Sequence, residues 1–351
     1  QIYDGLKAVE TYDKKQIKLL FSEHHLSHAS SAFFPSPFQK AAVLTIDGVG
    51  EWCTASIGLG DSSNLKILKE MHFPHSVGLL YSAFTYYLGF KVNSGEYKLM
   101  GLAPYGNPNA AQTKSFIEII KTNLVNIKED GSIWLNQSYF NYATGLRMVK
   151  NKKWAILFGF PRREEAVNLE QFHCNLALAI QKVTEEIVLK MAQTAKQLTN
   201  AENLCLAGGV ALNCVANGIL QRAGIFKNIY IQPAAGDAGG ALGAALAISQ
   251  MYFDEKRQCD EVNDQMNGAY LGVEYSDKEI LTMSKKVKAV YTKYDSFDNL
   301  AKFIADKIDK KQVIGWFQGR MEFGPRALGN RSIIADARSE EMQKKINLKI
   351  K

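Results

Sequence analysis

The sequence predicts an α/β protein, and three features predict it. Three short apolar runs joined by tight turns stand near the start, at residues 41–47, 52–59 and 65–71. A helix then carries Leu169, Phe172, Leu176, Ile180, Val183, Ile187 and Met191 at steps of three or four. Beyond it, two apolar runs each stop at glycines, Leu204-Cys-Leu-Ala-Gly-Gly209 and Ile229-Tyr-Ile231 before Gly236-Asp-Ala-Gly-Gly240. After each the apolar spacing turns from strand-like to helix-like.

The bulk composition narrows the function classes. A chain of 351 residues suits two domains, because single cores rarely grow past about 250–300 residues. Hydrophobic residues at 46% and charged ones at 22% are those of a globular protein. The net charge of +7 comes largely from lysines at helical spacing, among them Lys285, Lys286, Lys302 and Lys307. Without interleaved arginines and aromatics they describe a solvated helix face, not a nucleic-acid groove. Five cysteines, odd in number and without C-x-x-C spacing, indicate buried thiols in a reducing compartment. No run approaches the ~18 apolar residues of a membrane span, and no signal pattern opens the chain. The expectation is a cytoplasmic protein acting on small molecules, with no nucleic acid or membrane partner and a composition compatible with a homodimer. Gln1 and the Lys-rich helical pattern around Lys351 suggest a piece of something longer.

Taken in order, residues 17–21 read as a buried strand and 22–34 as a helix ended by Pro35 and Pro37. The three runs that follow make a β-meander, with a glycine turn at Asp47-Gly-Val-Gly-Glu51. Residues 76–90 are a strongly apolar helix, and 93–106 a polar, glycine-rich loop. Residues 107 to 165 hold aromatics with weak periodicity and read as an insertion. The long helix and the two glycine corners come next, then a polar boundary at 260–268. A helix at 297–309, a strand at 312–317 and a glycine-rich loop at 319–332 complete the chain. The order βββ–α–(insert)–α–β–α–β–α is that of a ribonuclease-H-like half-domain of the actin/sugar-kinase ATPase superfamily.

Several residues could carry chemistry. His24 and His28 are four apart, so a helix projects both imidazoles from one face while His25 points away. With Asp47 at a strand end and Asp237 at a glycine corner they make a His₂Asp₂ set, which suits Fe(II), Zn(II) or Mn(II). Capping or core packing is the plainer role for the histidines. Backbone N–H groups at Gly48, Gly208, Gly209 and Gly239, aided by a helix N-terminus, suit a nucleotide phosphate. The same glycines would also permit tight helix-on-strand packing. Asn213 is placed either to bond a ribose or base or to sit at the surface. Neither a P-loop nor a G-x-G-x-x-G fingerprint is present. Arg320, Arg326 and Arg331, with Asn330 and Ser332, suit a phosphate oxyanion better than a salt-bridged surface loop. Lys98 lies in the loop that is either a substrate gate or a connection. His75, beside Pro74, fits capping better than catalysis.

Together, Glu23-His-His-Leu-Ser-His-Ala29, Thr45-Ile-Asp-Gly-Val-Gly-Glu51, Pro74-His-Ser-Val-Gly78, the run from Ser94 to Gly106, Leu206-Ala-Gly-Gly-Val-Ala-Leu-Asn213 and Met321-Glu-Phe-Gly-Pro-Arg-Ala-Leu-Gly-Asn-Arg-Ser332 resemble the O-carbamoyltransferases of nodulation-factor and antibiotic tailoring. The resemblance implies an actin/sugar-kinase ATPase-like domain over residues 1–265, similar to the tRNA threonylcarbamoyl-transfer proteins. Residues 266–351 would begin a YrdC-like domain that continues past Lys351, and a further meander would precede Gln1. It implies ATP and carbamoyl phosphate as co-substrates, a carbamoyl-adenylate, and a sugar or secondary-metabolite hydroxyl as acceptor. His24, His28, Asp47 and Asp237 match the metal ligands, Gly208, Gly209 and Asn213 the nucleotide wall, and Arg326 and Ser332 the carbamoyl-phosphate motif. His25, His75 and Lys98 are the candidates for the base. A sugar-kinase-like phosphotransferase and a non-catalytic nucleotide-binding module remain the alternatives.

Overall fold

The computed structural model describes residues 2–13, 15, 17–342, 345 and 346, so the chain's last lysines lie outside the described residues. Helix α1 (Ile2–Val9) comes first, then an irregular stretch, then α2 (His24–Phe33). The strand expected at 17–21 does not form, and Phe21 is 77% exposed. Strands exist by pairing, and residues 17–21 pair with none of the strands of the sheet.

The meander forms as β1 (Lys40–Gly50), β2 (Cys53–Asp61) and β3 (Asn64–His72), antiparallel throughout. Helix α3 (Val77–Tyr87) starts at Ser76, whose Oγ accepts the Leu79 N–H at 3.0 Å. The expected loop at 93–106 is largely helical, with α4 (Glu96–Leu102) at its centre. Glycines hid that helix in the sequence; burial of Leu99 and Leu102 and the bond from Ser82 Oγ to Glu96 (2.7 Å) hold it. The insertion resolves into α5 (Ala111–Ile119), a π-turn (Ile120–Leu124), a hairpin of β4 (Val125–Ile127) with β5 (Ile133–Leu135), and α6 (Asn151–Phe158). Its periodicity is weak because its elements are short and fold around aromatics, Trp154 lying 4.7 Å from Phe84 of α3.

Helix α7 (Gln171–Thr199) leads into β6 (Asn203–Ala207), α8 (Cys214–Arg222), β7 (Asn228–Ile231) and α9 (Asp237–Ala247). The sheet order is β3-β2-β1-β6-β7, with β6 parallel to both β1 and β7. Further on come α10 (Asp277–Lys286), α11 (Phe297–Asp309) and the antiparallel pair β8 (Ile314–Phe317) and β9 (Arg331–Ile334).

Strand alternation sorts the core into two layers. Ala42, Leu44 and Ile46 face α3, α7 and the insertion, while Ala41 and Val43 face α2 and α9. The same alternation puts Thr45 and Asp47 on the α2 side. Because β1, β6 and β7 run parallel, their C-terminal ends share one edge of the sheet. No helix among the described residues is long and apolar enough to cross a membrane.

Candidate metal and nucleotide site

Asp47 reaches the sheet edge where β6 ends and α9 begins. Its Oδ2 lies 3.0 Å from His24 Nε2 and 3.1 Å from His28 Nε2. Asp237 Oδ1 is 3.6 Å from each imidazole, and the two Nε2 atoms are 3.0 Å apart. All four donor atoms fall within 4.8 Å of one another. The structure therefore brings together His24, His28, Asp47 and Asp237, from a helix, a strand end and a helix start.

The electrostatics follow from this convergence. Burial acts to raise the Asp47 pKa, yet hydrogen bonds with His24 and His28 and the Gly209 N–H hold it far below the usual carboxylate range. The bond to Asp47 raises His24 against the effect of burial. His28 Nδ1 is buried without a partner among the described residues, so that ring meets polar company only through Nε2. Two imidazole nitrogens 3.0 Å apart repel as lone pairs unless a proton or a cation lies between them. Separations of 3.0–3.6 Å are those of neighbouring corners around an ion bound at about 2.1 Å. The donor set fits a divalent transition metal.

The glycine corner closes this cluster from below. Asp47 Oδ1 accepts the Gly209 N–H at 2.9 Å. Gly208 has φ +87°, and a Cβ there would stand 2.3 Å from the Ile46 carbonyl oxygen. At Gly50 a Cβ would meet the His24 ring at 1.9 Å. Tight packing and site-building are one feature here, since only bare backbone lets the loops close around Asp47. Gly239 is a packing glycine against the Ala234 carbonyl, whereas Gly48 has open space about its Cα.

The other candidates are placed less directly. His25 is buried and turned into the sheet, Nδ1 2.7 Å from Thr45 Oγ1. Burial and the neighbouring His28 push its pKa down to about 4. His75 Nδ1 accepts the Leu135 N–H at 3.0 Å, anchoring the hairpin of the insertion, and burial lowers its pKa. Lys98 is half-buried on α4. Asn213 is neither at the surface nor free for a ribose. Its Oδ1 caps α8 at Ala216 (3.1 Å), and its amide exchanges two bonds of 3.1 Å with Gln181 inside the protein.

The arginines of the 319–332 loop are engaged with protein acceptors. Arg331 bonds Glu322 Oε2 (2.9 Å) and the Gly324 carbonyl (2.8 Å), Arg320 the Gly272 carbonyl (3.2 Å), and Arg326 the Leu212 carbonyl (2.8 Å). Arg326 thereby ties the loop to the first glycine corner. Ser332 lies in β9 opposite Trp316. Sequence reasoning missed Glu322, although a lone acid among three arginines was a visible signal. It is buried and accepts the N–H groups of Leu328 and Asn330. Burial acts to raise its pKa, but Arg331 and those N–H groups hold it down to about 2. A depressed carboxyl stabilises fully above its unfolded value of about 4.3 and loses that contribution as pH falls toward the folded value. Glu322→Gln is therefore expected to lower the melting temperature at neutral pH and to narrow its gap to wild type below pH ~4. A gap that stays constant down to acid pH would contradict the ionised pair.

Comparison with known proteins agrees on one family. The model of the carbamoyltransferase N-terminus matches residues 2–246, and that of the carbamoyltransferase C-terminus matches residues 305–351. The chain is 57% identical over 335 residues to an uncharacterized protein of Synechocystis sp., covering 95% of this chain and 53% of that protein. It is 35% identical to the nodulation protein NolNO of Sinorhizobium fredii, over 95% of this chain and 46% of the relative. It is 28% identical to a 3'-hydroxymethylcephem-O-carbamoyltransferase of Streptomyces clavuligerus, over 51% of this chain and 31% of that one. The chain thus spans about half the length of the first two of these relatives. A crystal structure of HypF from T. kodakarensis covers 72% of this chain and 39% of its own, with a TM-score of 0.37 and 13% identity.

Proposed function

The chain belongs to the carbamoyltransferase family, and from that premise we propose that it serves ATP-dependent transfer of a carbamoyl group to a small-molecule hydroxyl. The observation that carries the reading is the convergence of two imidazoles and two carboxylates on one point beside a glycine corner. The strand order, three antiparallel strands followed by two parallel ones, supports an actin/sugar-kinase ATPase-like domain over residues 1–265. Residues 266–351 would then open the YrdC-like part, where carbamoyl phosphate gives up phosphate to water and the carbamate so freed displaces pyrophosphate from ATP to give a carbamoyl-adenylate. A cytoplasmic location accords with cysteines that are all unpaired.

In this reading His24, His28, Asp47 and Asp237 hold a divalent cation. When bound, that ion polarises the carbamoyl carbonyl and orients the acceptor oxygen. The chain's own groups supply alignment. The N-terminus of α9 presents its backbone N–H groups to the adenylate phosphate, while the Gly208–Gly209 corner shapes the wall beside it, its own N–H groups being spent on the Ala235 carbonyl and on Asp47. Asp47, bonded to both imidazoles and to the Gly209 N–H, holds its carboxylate against the two Nε2 atoms so that all three donors face one point. The acceptor oxygen bonds to the carbamoyl carbon, the bond from that carbon to the phosphate oxygen breaks, and AMP leaves. The acceptor's proton passes to a base lining the cleft. Holding the partners in line is much of what such a transfer requires.

The test is incubation of the full-length protein with ATP, carbamoyl phosphate and a panel of sugar and secondary-metabolite alcohols. A carbamate ester that needs both co-substrates and the cation is the expected product. Phosphorylated acceptor formed without carbamoyl phosphate would instead identify a sugar-kinase-like phosphotransferase. Nucleotide binding that survives metal removal, with no transfer to any acceptor, would leave a binding module.

A further inference from the structure

We propose that Arg257 is the positioning residue that fixes helix α2, and through it His24 and His28, against the carboxylates of the metal cluster. This role rests on the metal reading above. Helix α2 is short, and like any helix it ends with carbonyls that have no partner within it. Arg257 comes from the polar segment after α9 and donates to the last carbonyl of α2, to that of its C-cap Phe34 and to two in the turn that follows, at Ser36 and Phe38. Its Nη2 donates to the Phe33 carbonyl (2.7 Å) and the Ser36 carbonyl (2.8 Å), Nε to Phe34 (2.9 Å) and Nη1 to Phe38 (2.8 Å). The guanidinium carbon also lies 4.2 Å from the centre of the Phe33 ring. A planar fork of five donors can span these acceptors, and its charge complements the negative end of the helix.

The neighbours of Arg257 act with it as a strap. Cys259 Sγ bonds the Pro37 carbonyl (2.6 Å), Glu261 accepts the Gln39 N–H (2.9 Å), and the Gln265 N–H reaches the Pro35 carbonyl (2.8 Å). Further along, the Ala269 carbonyl accepts the Phe323 N–H (2.6 Å), and the Gly272 N–H bonds the Met321 carbonyl (2.8 Å). One segment thus grips the end of the metal helix and then the arginine loop. His24 and His28 sit on α2, whereas Asp47 sits on β1 and Asp237 on α9. A slide or tilt of α2 therefore moves both imidazoles together, away from both carboxylates. Separations of 3.0 and 3.1 Å leave little slack, since a site works only within about 0.5 Å of its productive geometry.

The experiment compares Arg257→Ala and Arg257→Lys with wild type by calorimetric titration of Zn(II) and Mn(II), well below each melting temperature. Far-UV circular dichroism monitors the fold. Alanine is expected to weaken cation binding about 10–100-fold, the range seen when an outer-sphere support is removed. Lysine keeps the charge but cannot span the carbonyls, so it should recover only part of the affinity. It also serves as the test if the alanine variant does not fold. Cation affinity within twofold of wild type in either folded variant, whatever its melting temperature, would overturn the positioning role alone. A folded wild type that takes up no cation would overturn the metal reading and this role with it.

Discussion

Asp47→Ala is expected to leave a protein that no longer retains a divalent cation, with affinity reduced by more than the ~10–100-fold typical of outer-sphere changes. Asp47 is the only one of the four donors that bonds both imidazoles closely and is itself held by a backbone N–H, from Gly209. Its removal takes away the negative charge that makes the pocket attractive to a cation, and it leaves two imidazoles facing each other. Metal analysis of purified wild type and variant checks this directly. Asp237→Ala should also lower occupancy, but less, because that side chain is largely exposed and sits at 3.6 Å. Equal metal content in wild type and Asp47→Ala would remove the cluster from the chemistry.

Gly243→Ala should destabilise the protein, against the sign that helix propensity gives. In the middle of a helix, alanine is normally favoured over glycine by about 0.8–1 kcal/mol. Here a Cβ would stand 1.7 Å from the Ser27 carbonyl oxygen of α2, an atom that cannot rotate aside. Helix α9 must back away, at the ~1–3 kcal/mol typical of overpacking. Since α9 carries Asp237 and α2 carries the histidines, cation affinity should fall as well. Gly240→Ala in the same helix meets nothing within 4 Å and should be neutral or stabilising. Thermal melts of the two variants side by side decide the matter; stabilisation by both would mean that the α2–α9 contact is looser than described.

Much of the architecture was legible because periodicity reports burial. The meander, α3, α7 and the glycine corners follow apolar spacing closely, and the helix expected at 297–309 matches α11 (Phe297–Asp309), although none of its residues is buried. The elements that escaped have no such spacing. Residues 17–21 are apolar without a strand to pair with, α4 is masked by glycines, and the insertion folds around aromatics contributed by α3. Local composition cannot report a partner supplied by another part of the chain.

The site divides along the same line. Sequence alone determined which residue types stand one helical turn apart, which carboxylate ends a strand and where only glycine fits a corner, because those depend on spacing and backbone sterics. It could not determine what each polar side chain spends its hydrogen bonds on. That Asn213 pairs with Gln181, that Arg331 is taken up by Glu322, and that Arg257 closes the end of α2 are facts of tertiary structure. A long polar side chain has many conformations of similar energy, and only the packed neighbours from distant parts of the chain select one.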